Sequence, residues 1–521
     1  MKLLIILFSA LFFKSLIWWL VVPPWQAPDE QAHFVQLQWY AEKKTLQIAE
    51  LNLSREVALS EELLGTKRDN FGNNKYTYHP DYKIAYAKNF NGINEGLINS
   101  QPLSARTAYV GREAAGYPPL YYQLALPLYN LFYKNGLMDR LFAVRLLSLI
   151  SHLLLAFVAF LVGREIWGKG LAAIALAVMV AFQPMVSFLA AGFHPDNLLN
   201  LLYSLGILVC LRIIKNGLKP SYLAVLALVI FLGMETKILM VFFLPVAGAV
   251  IIFSRFRGKL AGGMLAAGLL LLPLAAFILQ WPIPYMPVVT AASPLRSLGI
   301  TKYLRFRVPK MVFEMWPWYW GVFKWLGVTL PPLIMKIITR VAALAGLGIF
   351  IYFVKVIRSK KISFETRALG FFLISSVSYI LYLFFWDWRL MQSTGFSQGL
   401  QGRYLFSNII PAMAVILIGL KSLIPPRFIF AENLLIYLLM FGMIALNFIA
   451  LGTVARSYYD LTGLKVFITQ LSQYHPGLLK ANNLIFFGVI YILSLVWFLW
   501  YSAIKFYPFK NGKFLTDESK N

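Results

Sequence analysis

A succession of apolar runs, each about twenty residues long, constrains this chain more than any other feature of its sequence. Crossing the roughly 30 Å hydrocarbon core of a bilayer takes about 20 helical residues, so each run is long enough to span a membrane. The stretch 221–253 is too long for one straight span and is interrupted by Glu235 and Lys237, which favours two short helices, 221–234 and 238–253. The sequence therefore predicts an all-α integral membrane protein with about 12 transmembrane helices. The other ten predicted spans are 3–22, 141–163, 170–191, 196–214, 260–280, 332–354, 366–386, 404–420, 429–453 and 483–503.

The distribution of charge predicts the orientation of these spans. Only 13% of the residues are charged, against about a quarter in soluble domains, yet the net charge is +26. If the N- and C-termini are cytoplasmic, the predicted cytoplasmic segments hold twenty basic residues and five acidic ones, as the positive-inside rule requires. A single crossing by 221–253 would put the basic clusters 212–219 and 255–259 on opposite sides, which again favours the hairpin. The charge thus indicates a multi-pass membrane protein with cytoplasmic termini and gives no reason to expect a nucleic-acid partner.

The segments outside the spans are unequal in size and composition. The first external segment holds twelve of the 22 acidic residues, and within it 28–43 and 117–134 have the pattern of amphipathic helices that rest on the membrane surface. The predicted regions are 1–22, an uncleaved first anchor; 23–140, an external loop with juxtamembrane helices; 141–280, a transmembrane bundle; 281–331, an external Pro- and Trp-rich segment; 332–505, a second transmembrane bundle; and 506–521, a basic cytoplasmic tail.

The first candidate site is the motif APDEQAHF, residues 27–34, just after the first span. On a helix, Asp29 and Glu30 both share a face with His33. Carboxylates held against a bilayer are partly desolvated, which raises their basicity and suits them to general-base catalysis or cation binding. We predict Asp29 and Glu30 as catalytic residues and His33 as a substrate-binding residue. The alternative is that Asp29 is only a helix N-cap.

The second candidate site is the short turn FHPDN, residues 193–197, between two predicted spans. It places His194 and Asp196 at the outer boundary, on the same predicted face as Asp29. Asp196 is also a plausible N-cap of the following helix. Because two acidic sites converge on one face, we predict His194 and Asp196 as substrate-binding residues.

Cations at the same predicted face complete the candidate set. Lys237 lies at the turn of the predicted hairpin, where it either lines a cavity and meets a phosphate or forms a mutual pair with Glu235. The loop 387–404 brings Arg389, Arg403 and Tyr404 to this face, and a guanidinium matches a phosphate well, although an interfacial arginine can also reach lipid headgroups. We predict Lys237, Arg389, Arg403 and Tyr404 as substrate-binding residues.

Other polar residues and motifs add little to this set. Lys14 in the first span is expected to face another helix or to reach the interface, and His152 is expected to be a packing residue. The single cysteine, Cys210, excludes a disulfide framework. The sequence has no Walker loop, GxGxxG fingerprint, HExxH or GxSxG, so ATP-driven transport, dinucleotide redox chemistry and zinc proteolysis have no support in it.

Several motifs together resemble the GT-C superfamily of membrane glycosyltransferases. The chain has an acidic motif after the first span, a long first external loop and a PPLYY segment. More narrowly, four stretches resemble an uncharacterised family of bacterial membrane proteins placed near those enzymes: APDEQAHF (27–34), YPPLYYQLALPLY (117–129), WGVFKWLGVTLP (320–331) and QGRYLF (401–406). The resemblance extends from residue 1 to about 425.

The resemblance implies the inverting transfer of a hexose or pentose from a polyprenyl-phosphate donor at the outer face. It implies that Asp29 is the base toward the acceptor hydroxyl, that Asp196 is the second acidic position, and that Lys237 and Arg403 bind phosphate. The expected partners are the donor, membrane lipid, and a glycolipid or surface-polysaccharide acceptor. The cofactor prediction is limited to a divalent cation, with Asp29 and Asp196 as candidate ligands. Such a reaction needs no nucleotide-binding fold, because the lipid phosphate is itself the leaving group.

Two other function classes stay open at this point. A non-enzymatic carrier or flippase for lipid-linked saccharides would also use interfacial carboxylates and arginines, and would have polar residues in the middle of several spans. A scaffold of an envelope assembly complex would use 23–140 as a partner-binding loop.

Overall fold

The fold is a bundle of long apolar helices capped at one end by shorter ones. The computed structural model describes residues 2–45, 54–69, 72–84, 86, 92–107, 114, 116–255, 267–268, 298–395, 400–480, 482–506, 509–510 and 513–514. Within these ranges, nine helical segments are long and apolar enough to cross a membrane. They are Lys2–Val21, Leu137–Trp167, Asp196–Asn216, Ile238–Arg255, Pro332–Ser359, Phe364–Thr394, Gly402–Ser422, Ile429–Tyr458 and Asn483–Phe506. Two of these segments begin as short 3₁₀ helices, at Ile238–Phe243 and Gly402–Asn408.

Two further predicted spans take less regular forms. The predicted span 170–191 is a pair of helices, Leu171–Ala181 and Pro184–Ala190, bent by 59° at the break between them. The predicted span 221–234 is the short apolar helix Pro220–Met234. Eleven of the twelve predicted spans thus correspond to described helices, and 260–280 lies outside the described residues.

The hairpin predicted for 221–253 is present. Pro220–Met234 packs along Asp196–Asn216, with Tyr222 hydrogen-bonded to Asn216 at one end. The turn at its other end brings Lys237 to Asp196, at the start of that same helix. The chain then runs back, because Phe243 packs against Tyr203, about two helical turns further along.

The polar loops predicted to be cytoplasmic meet at the opposite end of the bundle. Glu165 accepts hydrogen bonds from Arg212 at 3.0 Å and Lys215 at 3.2 Å. Lys421 pairs with Glu432 at 3.0 Å and lies over the ring of Trp167. The two ends of the bundle therefore carry separate polar clusters, as the charge distribution predicts.

Shorter elements cover the end that carries the candidate site. They are the helices Glu30–Lys43, Arg55–Leu64, Ile93–Asn99, Leu120–Leu131, Ile300–Lys302, Val308–Trp320 and Leu464–Ser472, with 3₁₀ turns at Leu103–Arg106 and Gly477–Leu479 and a π turn at Tyr303–Arg307. Two-stranded antiparallel hairpins are formed by Val322–Phe323 with Val328–Thr329 and by Phe509–Lys510 with Lys513–Phe514.

The two helices predicted to rest on the membrane surface differ in burial. Leu120–Leu131 begins directly after the paired prolines and exposes Leu124 and Leu131, as a surface helix does. The expectation for 28–43 is wrong, because every residue from Glu30 to Trp39 is buried. The cause is the cover that the external segment forms over this helix: Leu120–Leu131 packs against it, and Gln38 hydrogen-bonds to Glu56 of the helix Arg55–Leu64.

The break between Leu171–Ala181 and Pro184–Ala190 has a clear physical origin. Pro184 has no amide N–H, and the Gln183 side chain caps the new helix by accepting from Val186 N. Because the first helix ends at this break, the carbonyls of Ala181 and Phe182 need partners from outside it. Lys14 Nζ binds the Ala181 carbonyl at 2.6 Å, and Asn447 Nδ2 binds that of Phe182 at 3.0 Å.

Lys14 and His152 belong to one buried network around this break. The Lys14 ammonium also donates to Ser187 Oγ at 2.8 Å and lies 2.9 Å from His152 Nε2. Ser187 in turn accepts from Asn447 at 2.9 Å. Of the two expectations for Lys14, it faces other helices, and His152 is one of its partners. The network supports the broken helix that leads into the candidate site.

Candidate functional site

Asp29 stands at the start of the helix Glu30–Lys43 but does not cap it. Its backbone lies in the left-handed region, at φ 54° and ψ 16°, and its side chain makes no capping hydrogen bond. A non-glycine residue in this region is strained, and such strain tends to occur at functional sites. The carboxylate, 37% exposed, instead faces a cavity, which disfavours the simple N-cap interpretation.

Two arginines flank the Asp29 carboxylate. Arg403 Nη2 donates to Oδ2 at 2.7 Å, and Arg68 Nη1 lies 3.4 Å from Oδ1. Burial alone would raise the pKa of Asp29, but the positive charges of Arg403 and Arg68 hold it below its usual range. Asp29 is therefore a carboxylate at neutral pH, held between two guanidinium groups.

Not all of the hydrogen-bond donors of Arg403 are used within the part of the chain that the structure describes. Its side chain is 5% exposed, and its Nε and Nη1 groups are buried without a hydrogen-bond partner among the described residues. A buried guanidinium N–H without an acceptor is costly, so these two groups are able to bind an anion.

His194 links Asp29 to Asp196. Its Nε2 lies 4.0 Å from Asp29 Oδ2, and its Nδ1 lies 3.5 Å from Asp196 Oδ2. Because Nδ1 accepts from the Asp196 backbone N–H at 3.0 Å, the hydrogen-bond pattern assigns the ring proton to Nε2, which faces Asp29. Burial lowers the pKa of His194 to about 3, against the opposing charge of Asp196. The imidazole is thus a neutral bridge between the two carboxylates.

Asp196 lies behind the cavity wall and pairs with Lys237. The Lys237 ammonium hydrogen-bonds to Asp196 Oδ1, and neither side chain is more than 9% exposed. Burial alone would lower the pKa of Lys237, but the Asp196 carboxylate raises it above its usual value. Lys237 also lies 5.5 Å from the ring centre of Tyr117 and 5.7 Å from that of Tyr404, two residues of the cavity wall. Its partner is therefore Asp196 rather than Glu235.

His33 reaches the same cluster from the helix that follows Asp29. Its Nδ1 lies 2.9 Å from the Tyr122 hydroxyl, and its ring packs edge-on against His194 at 4.5 Å. The Nε2 atom is buried and has no partner among the described residues. Burial, together with Lys237 and His194 nearby, lowers the pKa of His33 well below its usual value.

Glu30, predicted as a catalytic residue beside Asp29, occupies a different environment. It is fully buried and forms a two-point ion pair with Arg145, at 2.7 Å and 2.6 Å. Its oxygens also accept from the backbone N–H groups of Phe193 and Trp25. Every acceptor position is engaged away from the cavity, so we reassign Glu30 to positioning: it ties the turn before Asp29 to the turn that carries His194.

The cavity in front of Asp29 has a volume of about 420 Å³, within the usual range for small-ligand sites. Its walls come from both external segments, from the broken helix and from the start of Gly402–Ser422. The lining residues are Gln26, Pro28, Asp29, Ala32, His33, Arg68, Gly72, Asn73, Thr77, Tyr78, Ala114, Tyr117, Met185, Phe188, Val322, Trp325, Leu326, Gln401, Arg403 and Tyr404. The site thus combines charged groups with an apolar wall.

The predicted metal ligands do not fit a resident divalent cation. Asp29 is engaged by Arg403 and Arg68, and Asp196 by Lys237. Over the residues that the structure describes, no group of three or more His, Cys, Asp or Glu side chains is arranged to hold a metal ion. Both carboxylates are thus paired with cationic side chains of the protein.

The structure brings together most of the predicted set and adds residues that the sequence did not reveal. Asp29, His33, Arg403 and Tyr404 line the cavity, with His194, Asp196 and Lys237 directly behind them. Arg389 is separate: it donates to Gln392 at 2.7 Å, lies beside Trp388 and does not line the cavity. Arg68 and Trp325 are the additions. Arg68 had no sequence signal, whereas Trp325 lies within the stretch WGVFKWLGVTLP that carries the family resemblance.

Proteins similar to this chain are found among solved structures. A search of curated proteins gives no match. Among solved structures, the chain is similar to ArnT from Cupriavidus metallidurans bound to undecaprenyl phosphate, with 14% identity, a TM-score of 0.39, and coverage of 95% of this chain and 76% of that one. It is also similar to the Archaeoglobus fulgidus oligosaccharyltransferase in the apo form, with 14% identity, a TM-score of 0.38, and coverage of 86% of this chain and 56% of that one.

The family assignment comes from the sequence match. Of the two groups that the sequence motifs resemble, the narrower is an uncharacterised family of bacterial membrane proteins. Residues 12–413, which include every predicted site residue, match the family described as "Predicted membrane protein (DUF2142)", and the chain belongs to that family.

Proposed function

We propose that this protein is a membrane glycosyltransferase that moves a sugar from a polyprenyl-phosphate donor to a glycolipid or surface-polysaccharide acceptor at the outer face of the membrane. The observation that carries the proposal is that only one of the three guanidinium nitrogens of Arg403 has a hydrogen-bond partner among the described residues. One nitrogen holds Asp29, while Nε and Nη1 are buried and unpartnered beside the cavity. The anionic oxygens of a phosphate are strong acceptors for guanidinium N–H groups, so a phosphate bound here would give these donors an acceptor.

The reaction needs one base and one anion-binding group. The acceptor hydroxyl oxygen attacks the anomeric carbon of the donor sugar, and its proton passes to Asp29. The bond between the anomeric carbon and the phosphate oxygen breaks, and the polyprenyl phosphate leaves with the electron pair. A single displacement of this kind inverts the configuration at the anomeric carbon. Arg403 stabilises the charge that develops on the leaving phosphate.

Donor binding would also adjust the base. In the structure, Arg403 and Arg68 hold the pKa of Asp29 low, which makes it a weak proton acceptor. The phosphodiester monoanion of the donor, bound to Arg403, offsets part of that positive charge and raises the pKa of Asp29 toward the range useful for general-base catalysis.

The groups behind the wall support this arrangement. The Lys237 ammonium packs against the rings of Tyr117 and Tyr404, and the Asp196 carboxylate offsets much of its charge. The neutral His194 directs Nε2 toward Asp29 and limits how far the carboxylate can rotate. We assign His194, Asp196 and Lys237 to positioning the base rather than to the transfer itself.

The test is transfer by the purified protein. It is incubated with a panel of polyprenyl-phosphate sugars and candidate acceptor lipids, and the products are measured by mass spectrometry. We expect Asp29→Asn to lower transfer at least 100-fold, because an amide accepts no proton and the loss of a general base costs about 10²–10⁴-fold. The matched control is Asp139→Asn in the same external segment, whose carboxylate contacts Asn135 and lies outside the cavity.

The proposal fails if Asp29→Asn transfers sugar as fast as the unaltered protein. Equal losses in Asp29→Asn and Asp139→Asn, with reduced insertion of both, would point to a folding defect and would also count against a catalytic role for Asp29.

A further inference from the structure

Backbone strain is concentrated around the cavity. Nine non-glycine residues among those described have positive φ, and four of them line the cavity: Asp29, Tyr78, Trp325 and Leu326. Trp325 and Leu326 follow Lys324, which has the same backbone conformation, at φ 51°, 51° and 65° for the three residues in order. Three consecutive left-handed residues with side chains cost several kcal/mol, since each costs about 1–2 kcal/mol. Such a turn persists only where its surroundings hold it.

Neighbouring segments hold this turn on every side. The Lys324 ammonium is buried and donates to the carbonyls of Pro80, at 2.6 Å, and Ser457, at 3.1 Å. The Trp325 carbonyl accepts from Tyr78 N at 3.2 Å. At Gly327, an added Cβ would lie 2.9 Å from the Tyr76 carbonyl oxygen, so only glycine fits there. These contacts hold the strained turn in place and thereby fix the Trp325 ring at the cavity.

The Trp325 ring is oriented as well as positioned. Its Nε1 donates to the Trp25 carbonyl at 3.1 Å, which anchors the polar edge of the indole and leaves its faces for packing. The Arg68 guanidinium lies 5.7 Å from the ring centre and 3.4 Å from Asp29. Arg68 therefore connects the aromatic plane to the carboxylate that we propose as the base.

The surroundings of the ring match one class of ligand. Besides Trp325, the cavity lining includes the apolar side chains Met185, Phe188, Val322 and Leu326 and polar ones such as Asn73, Thr77 and Gln401. A pyranose has the same duality, because its C–H face is apolar and its edge carries hydroxyl groups. A flat aromatic side chain beside hydrogen-bonding groups suits such a ring.

We propose that Trp325 is the sugar-binding platform of this site and that the ligand class is a pyranose attached to the lipid phosphate. This inference rests on the function proposed above, since Arg403 holds the phosphate while Trp325 packs against the sugar. The strained turn around Lys324–Leu326 sets the distance between the two subsites.

The two subsites can be separated by comparing ligands with and without the sugar. Affinity is measured for bare polyprenyl phosphate, polyprenyl-phosphate glucose and polyprenyl-phosphate mannose, on the full-length protein in nanodiscs. We expect at least one sugar to raise the affinity of the unaltered protein above that for the bare lipid. Trp325→Ala should lose this gain, about tenfold or more, while its affinity for bare polyprenyl phosphate changes less than threefold. Trp325→Phe should keep most of the gain.

The matched control is Trp316→Ala, because Trp316 is exposed, bonds Thr339 and lies outside the cavity. It should leave all three affinities unchanged. The inference is overturned if neither sugar adds affinity in the unaltered protein, or if Trp325→Ala weakens the bare lipid and the sugar conjugates equally. In either case, bare-lipid binding that depends on Arg403 would leave the proposed phosphate site standing, whereas its absence would contradict the proposed function as well.

Discussion

Arg403 and Lys14 are both buried basic side chains of this bundle, and their surroundings differ in a way that separates function from structure. The Lys14 ammonium has three close polar neighbours, His152, Ala181 and Ser187, all from the protein. Arg403 uses one nitrogen on Asp29 and leaves Nε and Nη1 unpartnered beside a cavity. A cation with its hydrogen-bonding capacity filled supports the fold, whereas one with unfilled capacity is poised for a ligand.

The comparison also bears on the carrier alternative. Polar residues within the spans are what a carrier would use, and Lys14, His152 and Asn447 are such residues. Two of them bind the carbonyls freed at the helix break, and His152 accompanies Lys14. Their positions are explained by the break, so they lend no separate support to a transport path.

The largest expected difference between Arg403 and Lys14 is in phosphate binding, which can be measured after each side chain is replaced. We expect Arg403→Met to weaken the binding of bare polyprenyl phosphate at least 100-fold, about 3 kcal/mol, since hydrogen bonds to charged groups contribute about 1.5–3 kcal/mol each. Lys14→Met should change the same affinity less than threefold. Isothermal titration calorimetry in nanodiscs measures both. Comparable losses in the two variants would remove the distinction between a poised and a satisfied cation.

The reverse comparison concerns stability. Lys14→Met leaves the Ser187 hydroxyl and the Ala181 carbonyl with fewer partners inside the bilayer, so we expect the free energy of unfolding to fall by about 2–3 kcal/mol. Thermal denaturation in detergent, followed by circular dichroism, provides the measurement. Lys336→Met is the control, because Lys336 is exposed, and it should leave the melting temperature unchanged. A Lys14→Met protein as stable as the control would show that the break does not need the ammonium.

The smallest expected effect is a pH dependence at the site. Burial lowers the pKa of His194 to about 3, against about 6.5 in an unfolded chain. Between these values the unfolded chain binds more protons, so stability is lost as the pH falls through this window. At pH 5 the loss from His194 is about 2 kcal/mol, at about 1.4 kcal/mol for each pH unit below 6.5.

This pH effect can be assigned by substitution. Thermal denaturation between pH 7 and pH 5 should show a smaller loss for His194→Gln than for the unaltered protein. Because burial also lowers the pKa of His33 and His475, part of the loss should remain. His79→Gln serves as the control, because His79 is exposed to solvent. An identical pH dependence in His194→Gln and His79→Gln would contradict a buried, neutral His194.

The sequence predicted well what depends on the ends of helices. Asp29, His194, Lys237 and Arg403 each lie where a predicted span begins or ends, and the orientation of the spans alone gathers them on one face. The same reasoning found the hairpin between 220 and 255. These features depend on local apolar length and on charge, which can be read along the chain.

Features that depend on distant partners could not be predicted in this way. Glu30 looks like Asp29 in sequence, and only the position of Arg145, far along the chain in the next long helix, decides that it is enclosed. Burial of the helix that begins at Glu30 depends on the cover formed by later external segments. Arg68 lies in a loop that has no pattern of its own. The break before Pro184 had a local signal, the proline inside an apolar run, but the bend depends on donors from two other helices.

The position of Lys14 has a consequence for how the protein is made. A lysine near the centre of a membrane helix costs about 2.5–3.5 kcal/mol on insertion, and Lys14 lies within the helix Lys2–Val21. Its acceptors at Ala181 and Ser187 are synthesised more than 160 residues later, as the spacing of these hydrogen bonds in the chain requires. The helix Lys2–Val21 must therefore enter the bilayer on the strength of its leucines, isoleucines and phenylalanines, and Lys14 gains these acceptors only after the later apolar stretch 171–190 has joined it in the membrane.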